Sequence, residues 1–114
     1  MAQTPEAKVK AKIKAILKAH NVYYAMPIGT GYGNSGVPDF LCCMHGYFVA
    51  IEAKAGKGTT TALQEKNLKQ IRDSAGIALV INESNLDVLE WHIALTSKEF
   101  KEATDKFFNG ANNG

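Results

Sequence analysis

The chain predicts an α/β fold, a mixed β-sheet flanked by helices, and three observations carry that expectation. The first twenty residues hold an apolar stripe with helical spacing. Two short apolar runs joined by His45-Gly46 read as a β-hairpin. A capped helix from about Thr61 leads into the continuous apolar run Ile77-Ala78-Leu79-Val80-Ile81, which suits a strand buried on both faces and parallel to an earlier one. The resulting order, helix, strand, strand, strand, helix, strand, is that of helices packed on a mixed sheet.

Each element has a local reason. Thr4-Pro5-Glu6 supplies a capping hydroxyl, a proline that is tolerated at the first helical position, and an acid near the positive end of the helix dipole. The helix it starts runs to about His20, with Val9, Ile13, Ile16 and Leu17 on the core face and the lysines on the other side. Asn21 closes it, and Val22-Tyr23-Tyr24-Ala25-Met26 has the composition of a first strand. Four glycines between Gly29 and Gly36 mark a loop. Asp39 to Met44 and Phe48 to Lys54 form the hairpin strands, and Ala55 to Thr60 is a second flexible connection.

Thr61-Ala62-Leu63-Gln64 matches a capping box. Leu68, Ile71 and Ala75 face inward from that helix, and Gly76 is its expected stop. The strand Ile77–Ile81 is expected at or near the centre of the sheet. Asn85 to Trp91 fits a strand edge or a helical turn equally well, and reads as a turn followed by a short extended segment, Leu89 to Ile93. Thr96-Ser97-Lys98-Glu99 then opens a last helix to about Phe108. Residues 1–108 form one expected domain and 109–114 a frayed polar tail.

Composition bounds the function. A length of 114 residues supports a single core, and 46% hydrophobic with 21% charged residues is ordinary for a globular protein. No apolar run approaches the roughly 20 residues of a membrane span, and the first residues lack a signal-peptide pattern, so the expected location is the cytosol. Cys42 and Cys43 are adjacent and would point to opposite faces of a strand, which rules out a mutual bridge and suits reduced packing residues. His20, His45 and His92 share no metal-ligand spacing. The first twenty residues carry five lysines against Glu6 alone, a local balance of +4 that points to a polyanionic partner.

The hairpin holds the chemistry. On its second strand Glu52 and Lys54 share a face, with Ile51 and Ala53 on the other, and the turn brings Asp39 back towards them. Two neighbouring carboxylates repel unless a cation lies between them. A hard divalent ion such as Mg²⁺ is the natural occupant, and it is commonly shared with a substrate phosphate. Lys54 could then orient an attacking water or stabilise charge on the phosphate. A Glu/Lys pair alone is more often a solvated strand edge. The joint pattern of acid, tight turn and Glu-x-Lys between glycine-rich loops favours the site.

Gly36-Val37-Pro38-Asp39, Glu52-Ala53-Lys54 and the helix bearing Gln64 together resemble the PD-(D/E)xK nuclease superfamily, and more closely its VRR-NUC branch. The resemblance runs from about Glu6 to Ile81, roughly two-thirds of the chain. It implies a restriction-endonuclease-like αβββαβ core. It also implies Asp39, Glu52 and the Ala53 backbone carbonyl as metal ligands, Lys54 as catalytic lysine, Gln64 beside the active site, and Glu6 as an acid completing the metal site. Gln64 could equally serve only its capping box, and Glu6 only the helix dipole.

The activity implied is a Mg²⁺- or Mn²⁺-dependent deoxyribonuclease, acting as a homodimer on branched DNA such as the four-way Holliday junctions met in DNA repair. Lys8, Lys12, Tyr32, Asn34 and Lys57 are the candidate DNA contacts. A nicking or restriction-like endonuclease on ordinary duplex, and a non-catalytic DNA-binding module, are the alternatives. A phosphorylated-metabolite site in Gly29–Gly36 lacks the strand-then-helix setting that such loops need.

Overall fold

A computed structural model describes residues 3–28 and 36–112 of the chain. Helix α1 (Pro5–Ala19) starts as expected, with Thr4 Oγ1 accepting from the Ala7 N–H at 3.1 Å. It buries Val9, Ile13 and Leu17. Asn21, at φ 56°, turns the chain into β1 (Tyr23–Ala25). Strands β2 (Phe40–Met44) and β3 (Tyr47–Ala53) are joined by His45 and Gly46, both at positive φ, as a two-residue hairpin that follows the sheet's twist requires. Helix α2 (Ala62–Asp73) precedes β4 (Ile77–Ile81), and α3 (Leu86–Asn112) ends the described chain.

The sheet order is β1-β2-β3-β4, with the first three strands antiparallel and β4 parallel to β3 across the α2 connection. The register decides where the chemistry falls. Phe40 lies opposite Ile51, so Asp39, one residue earlier, is carried to Glu52. Ala53 lies opposite Ile81, so β3 and β4 end at the same edge of the sheet. Val49, Ile51 and Ala53 join Phe40, Met44, Leu17, Ile81, Leu89 and Ile93 in the core cluster. Each fully buried large side chain there contributes about 1.5–3 kcal/mol. Glu52 points to the opposite face, where it meets α2.

Two glycines position α2. A Cβ on Gly36 would lie 2.6 Å from the Leu63 carbonyl oxygen and from Leu63 Cγ, so only glycine lets the lead-in to β2 press against the helix. A Cβ on Gly76 would lie 2.8 Å from Ile71 Cγ2. The helix stop is therefore not Gly76. Ser74 caps α2 and Ala75 takes the left-handed conformation at φ 67°, exposed rather than facing inward, while Gly76 serves close packing.

Three further expectations are corrected. β4 is an edge strand, covered by α2 and α3, and only Ala78 and Ile81 in it are buried. Leu89 to Ile93 is not extended: it belongs to α3, a single 27-residue helix that runs past Phe108 to Asn112. Leu86, Leu89, Ile93 and Thr96 recur at intervals of three and four and pack on the sheet, a helical period that overrides the strand propensity of Trp91 and Ile93. Phe100 and Phe107 continue the stripe beyond the sheet and are exposed. Cys42 is buried and Cys43 exposed, so only the first is a packing residue.

Candidate active site

Three elements converge at the common end of β3 and β4. The start of β2 supplies Asp39, the end of β3 supplies Glu52, and the first turn of α1 supplies Glu6. Carboxylate oxygens of the three lie within 4.8 Å of one another. Asp39 is fixed by the strand pairing itself, since its Oδ2 accepts from the Ala53 N–H at 2.8 Å.

Glu52 is 2% exposed. Gln64 Nε2 donates to its Oε1 at 3.2 Å, and its Oε2 is buried without a hydrogen-bond partner. Burial above all, and then the adjacent Asp39 carboxylate, push the Glu52 carboxyl up to about 8, while Lys54 acts in the opposite direction. A buried carboxylate with an unpartnered oxygen, grouped with two other carboxylates, is a donor set that fits a cation. The all-oxygen, three-carboxylate chemistry suits a hard divalent ion.

The two roles open to Gln64 are both filled. Its side-chain oxygen accepts from the Thr61 N–H at 2.9 Å, while Thr61 Oγ1 accepts from the Gln64 N–H at 3.2 Å, which closes the capping box. The cap thereby holds the amide whose Nε2 reaches Glu52, so the start of α2 orients the buried acid.

Lys54 follows the last residue of β3, and its N–H donates to the Ile81 carbonyl at 3.0 Å. The connection beyond it is tied down where the Gly56 N–H donates to Glu83 Oε1 at 2.6 Å. Lys54 and Glu6 together line an open cleft of about 570 Å³ with Thr4, Pro5, Gly56 and Thr59. Of the three acids only Glu6 lines this cleft, so Glu6 and Lys54 join it to the carboxylate cluster, an arrangement with room for a phosphodiester beside a cation.

Of the candidate DNA contacts, Lys8 and Lys12 are exposed on α1 and Lys57 is exposed on the connection beside the cleft. Tyr32 and Asn34 lie outside the described residues. One further residue joins the cluster although the apolar stripe of α1 puts its lysines on the outer side. Lys10 instead turns inward, its Nζ 3.3 Å from Asp39 Oδ1. The signal was present in its spacing: four residues after Glu6, it shares a helix face with that acid.

Among solved structures, the chain is similar to one described as a "VRR_NUC domain protein", with a TM-score of 0.66 and 17% sequence identity over 83% of this chain and 93% of that one. No protein-family model and no curated protein matches the chain. At that identity the likeness establishes the fold. The chain has the architecture of a VRR_NUC domain protein, and the restriction-endonuclease-like αβββαβ core expected from its motifs is the one observed.

Proposed function

We propose that a VRR_NUC-like fold with three carboxylates converging at the end of β3 makes this protein a divalent-metal-dependent nuclease that hydrolyses phosphodiester bonds in DNA. The observation that carries the reading is the buried Glu52, one of whose oxygens has no partner, grouped with Asp39 and Glu6 so that one carboxylate oxygen of each lies within 4.8 Å of the others. Glu6, Asp39 and Glu52 would hold Mg²⁺ or Mn²⁺, with the Ala53 carbonyl as a further ligand. Bound there, the ion supplies Lewis-acid polarisation of the phosphodiester and lowers the pKa of water.

The chain's own groups do the rest. Gln64 keeps Glu52 in the orientation that leaves Oε2 free. Lys54 orients the attacking water and stabilises charge developing on the phosphate. Lys8, Lys12 and Lys57, with Tyr32 and Asn34, contact the DNA backbone, which makes binding salt-sensitive. The preferred substrate is branched DNA such as a four-way junction, cut in the cytosol by a homodimer that presents two active sites. Among the described residues no helix is long and apolar enough to cross a membrane.

The test is a panel of labelled duplex, single-stranded, flap and four-way-junction DNAs incubated with Mg²⁺ or Mn²⁺. Cleavage should need the metal and favour the junction. Glu52→Ala and Lys54→Ala should each lower it by roughly 10²–10⁴-fold while leaving DNA binding largely intact. Cleavage that survives both substitutions would sink the assigned site.

A further inference from the structure

Among the described residues Lys10 is the one cation in an ion pair with a candidate metal ligand, and phosphodiester hydrolysis as proposed gives it no task. Its Nζ stands 3.3 Å from Asp39 Oδ1, with the two side chains 34% and 20% exposed. The other Asp39 oxygen is already committed, since Oδ2 accepts from the Ala53 N–H. The oxygen that Lys10 faces is the one of the two not engaged by the backbone, and so the freer to take a metal ion. Because Glu6 and Lys10 lie one turn apart on α1, the same helix face delivers both a ligand and a rival for the site.

An ammonium and a divalent cation that share one carboxylate repel strongly at separations of a few ångströms, even with substantial screening. With both side chains partly buried, solvent screens that repulsion only in part. The two cations compete.

We propose that Lys10 is a positioning residue that acts as resident counter-ion of the metal-free site: it holds Asp39 in place when no metal is bound and lowers the affinity with which a divalent ion enters. This rests on the metal reading above. The consequence is a site that keeps its carboxylates assembled without metal and binds the ion reversibly rather than as a permanent fixture.

The test uses the whole chain and Mn²⁺ alone, read by titration calorimetry and by melting in EDTA. Lys10→Met should bind Mn²⁺ roughly tenfold more tightly than wild type, a change of about 1.4 kcal/mol, yet melt at a lower temperature in EDTA. Lys10→Arg, which keeps the charge, should match wild type within about twofold. Should Lys10→Met fail to fold, Lys10→Gln carries the same expectation.

Unchanged or weaker Mn²⁺ binding in the neutral variant overturns the proposal. Glu52→Gln separates the two levels. If it abolishes Mn²⁺ binding while Lys10→Met binds like wild type, only the role of Lys10 fails. If wild type binds no Mn²⁺, or Glu52→Gln binds it equally well, the metal reading fails and the role of Lys10 with it.

Discussion

Two polar side chains are buried among the described residues, Thr96 and Glu52, each 2% exposed, and they lie at opposite ends of the β2–β3 hairpin. At the turn end, Thr96 Oγ1 shares its proton between the His92 and Ile93 carbonyls at 2.8 and 3.1 Å. With that proton spent, His45 Nδ1, 3.0 Å away, must be the donor to the same hydroxyl. The Thr96 hydroxyl is fully answered, although the neighbouring His92 Nδ1 is buried without a partner. At the strand end, Glu52 has one partnered oxygen and one orphan, crowded by two further acids. What sets Glu52 apart from His92 is its company: only the orphan at the strand end has two further carboxylates gathered around it.

Substitutions at the two ends should therefore part company. The largest effect belongs to Glu52→Gln, which should weaken Mn²⁺ binding by a hundredfold or more, on the order of the upper loss seen when a metal site loses supporting groups. It should also change the pH dependence of stability in EDTA. The Glu52 proton leaves near pH 8 in the folded protein and near 4.5 in an ordinary carboxyl, so between those values the folded state holds more protons than the unfolded. Wild-type stability accordingly falls as pH rises through that window and levels off above about 8. Glu52→Gln should lose that slope and be the more stable protein at pH 8, as melting curves across pH will reveal.

Gln64→Ala comes next. It removes a cap acceptor and the Glu52 partner together, and should cost about 1 kcal/mol of stability and roughly 10-fold or more in metal affinity. Thr61→Ala breaks the same capping box from its other side, so it should match the stability loss in denaturant titrations and spare the metal. A drop in Mn²⁺ affinity with Thr61→Ala would mean that the cap and the site cannot be separated.

At the satisfied end, Thr96→Val should cost about 1–3 kcal/mol by stranding the His45 donor, with no change in Mn²⁺ affinity. The smallest effect is expected from Tyr47→Phe. Its hydroxyl donates to Glu99 Oε2 at 2.5 Å, a contact that pushes the phenol upward from its usual value, but the pair is exposed. Melting temperature and cleavage rate should both stay within error.

Much of this contrast was legible in the residues because the signals were local. The Thr4 and Thr61 caps, the His45-Gly46 turn and the alternation at Glu52 each depend on a few neighbouring residues, and each stands where it was expected. The failures are long-range or a matter of competing periods. The apolar run of β4 has the composition of a central strand, but its place at the edge depends on which strands pair, and composition does not record that. Leu86, Leu89, Ile93 and Thr96 form a helical stripe that strand-favouring residues disguise. Ala75 adopts a conformation that favours glycine because Gly76 is needed for contact with Ile71. Lys10 was hidden among four other lysines of α1, and only the arrival of Asp39 from the sheet distinguishes it.

With Glu52 as the proposed metal ligand, proton and metal ion compete for the same carboxylate. The most direct measurement is calorimetric Mn²⁺ titration of wild type and Glu52→Gln at a series of pH values spanning the region around 8. The expected result is a wild-type affinity that climbs as the Glu52 proton leaves and flattens above about 8, with the site absent in Glu52→Gln. Equal binding by the two proteins would contradict it.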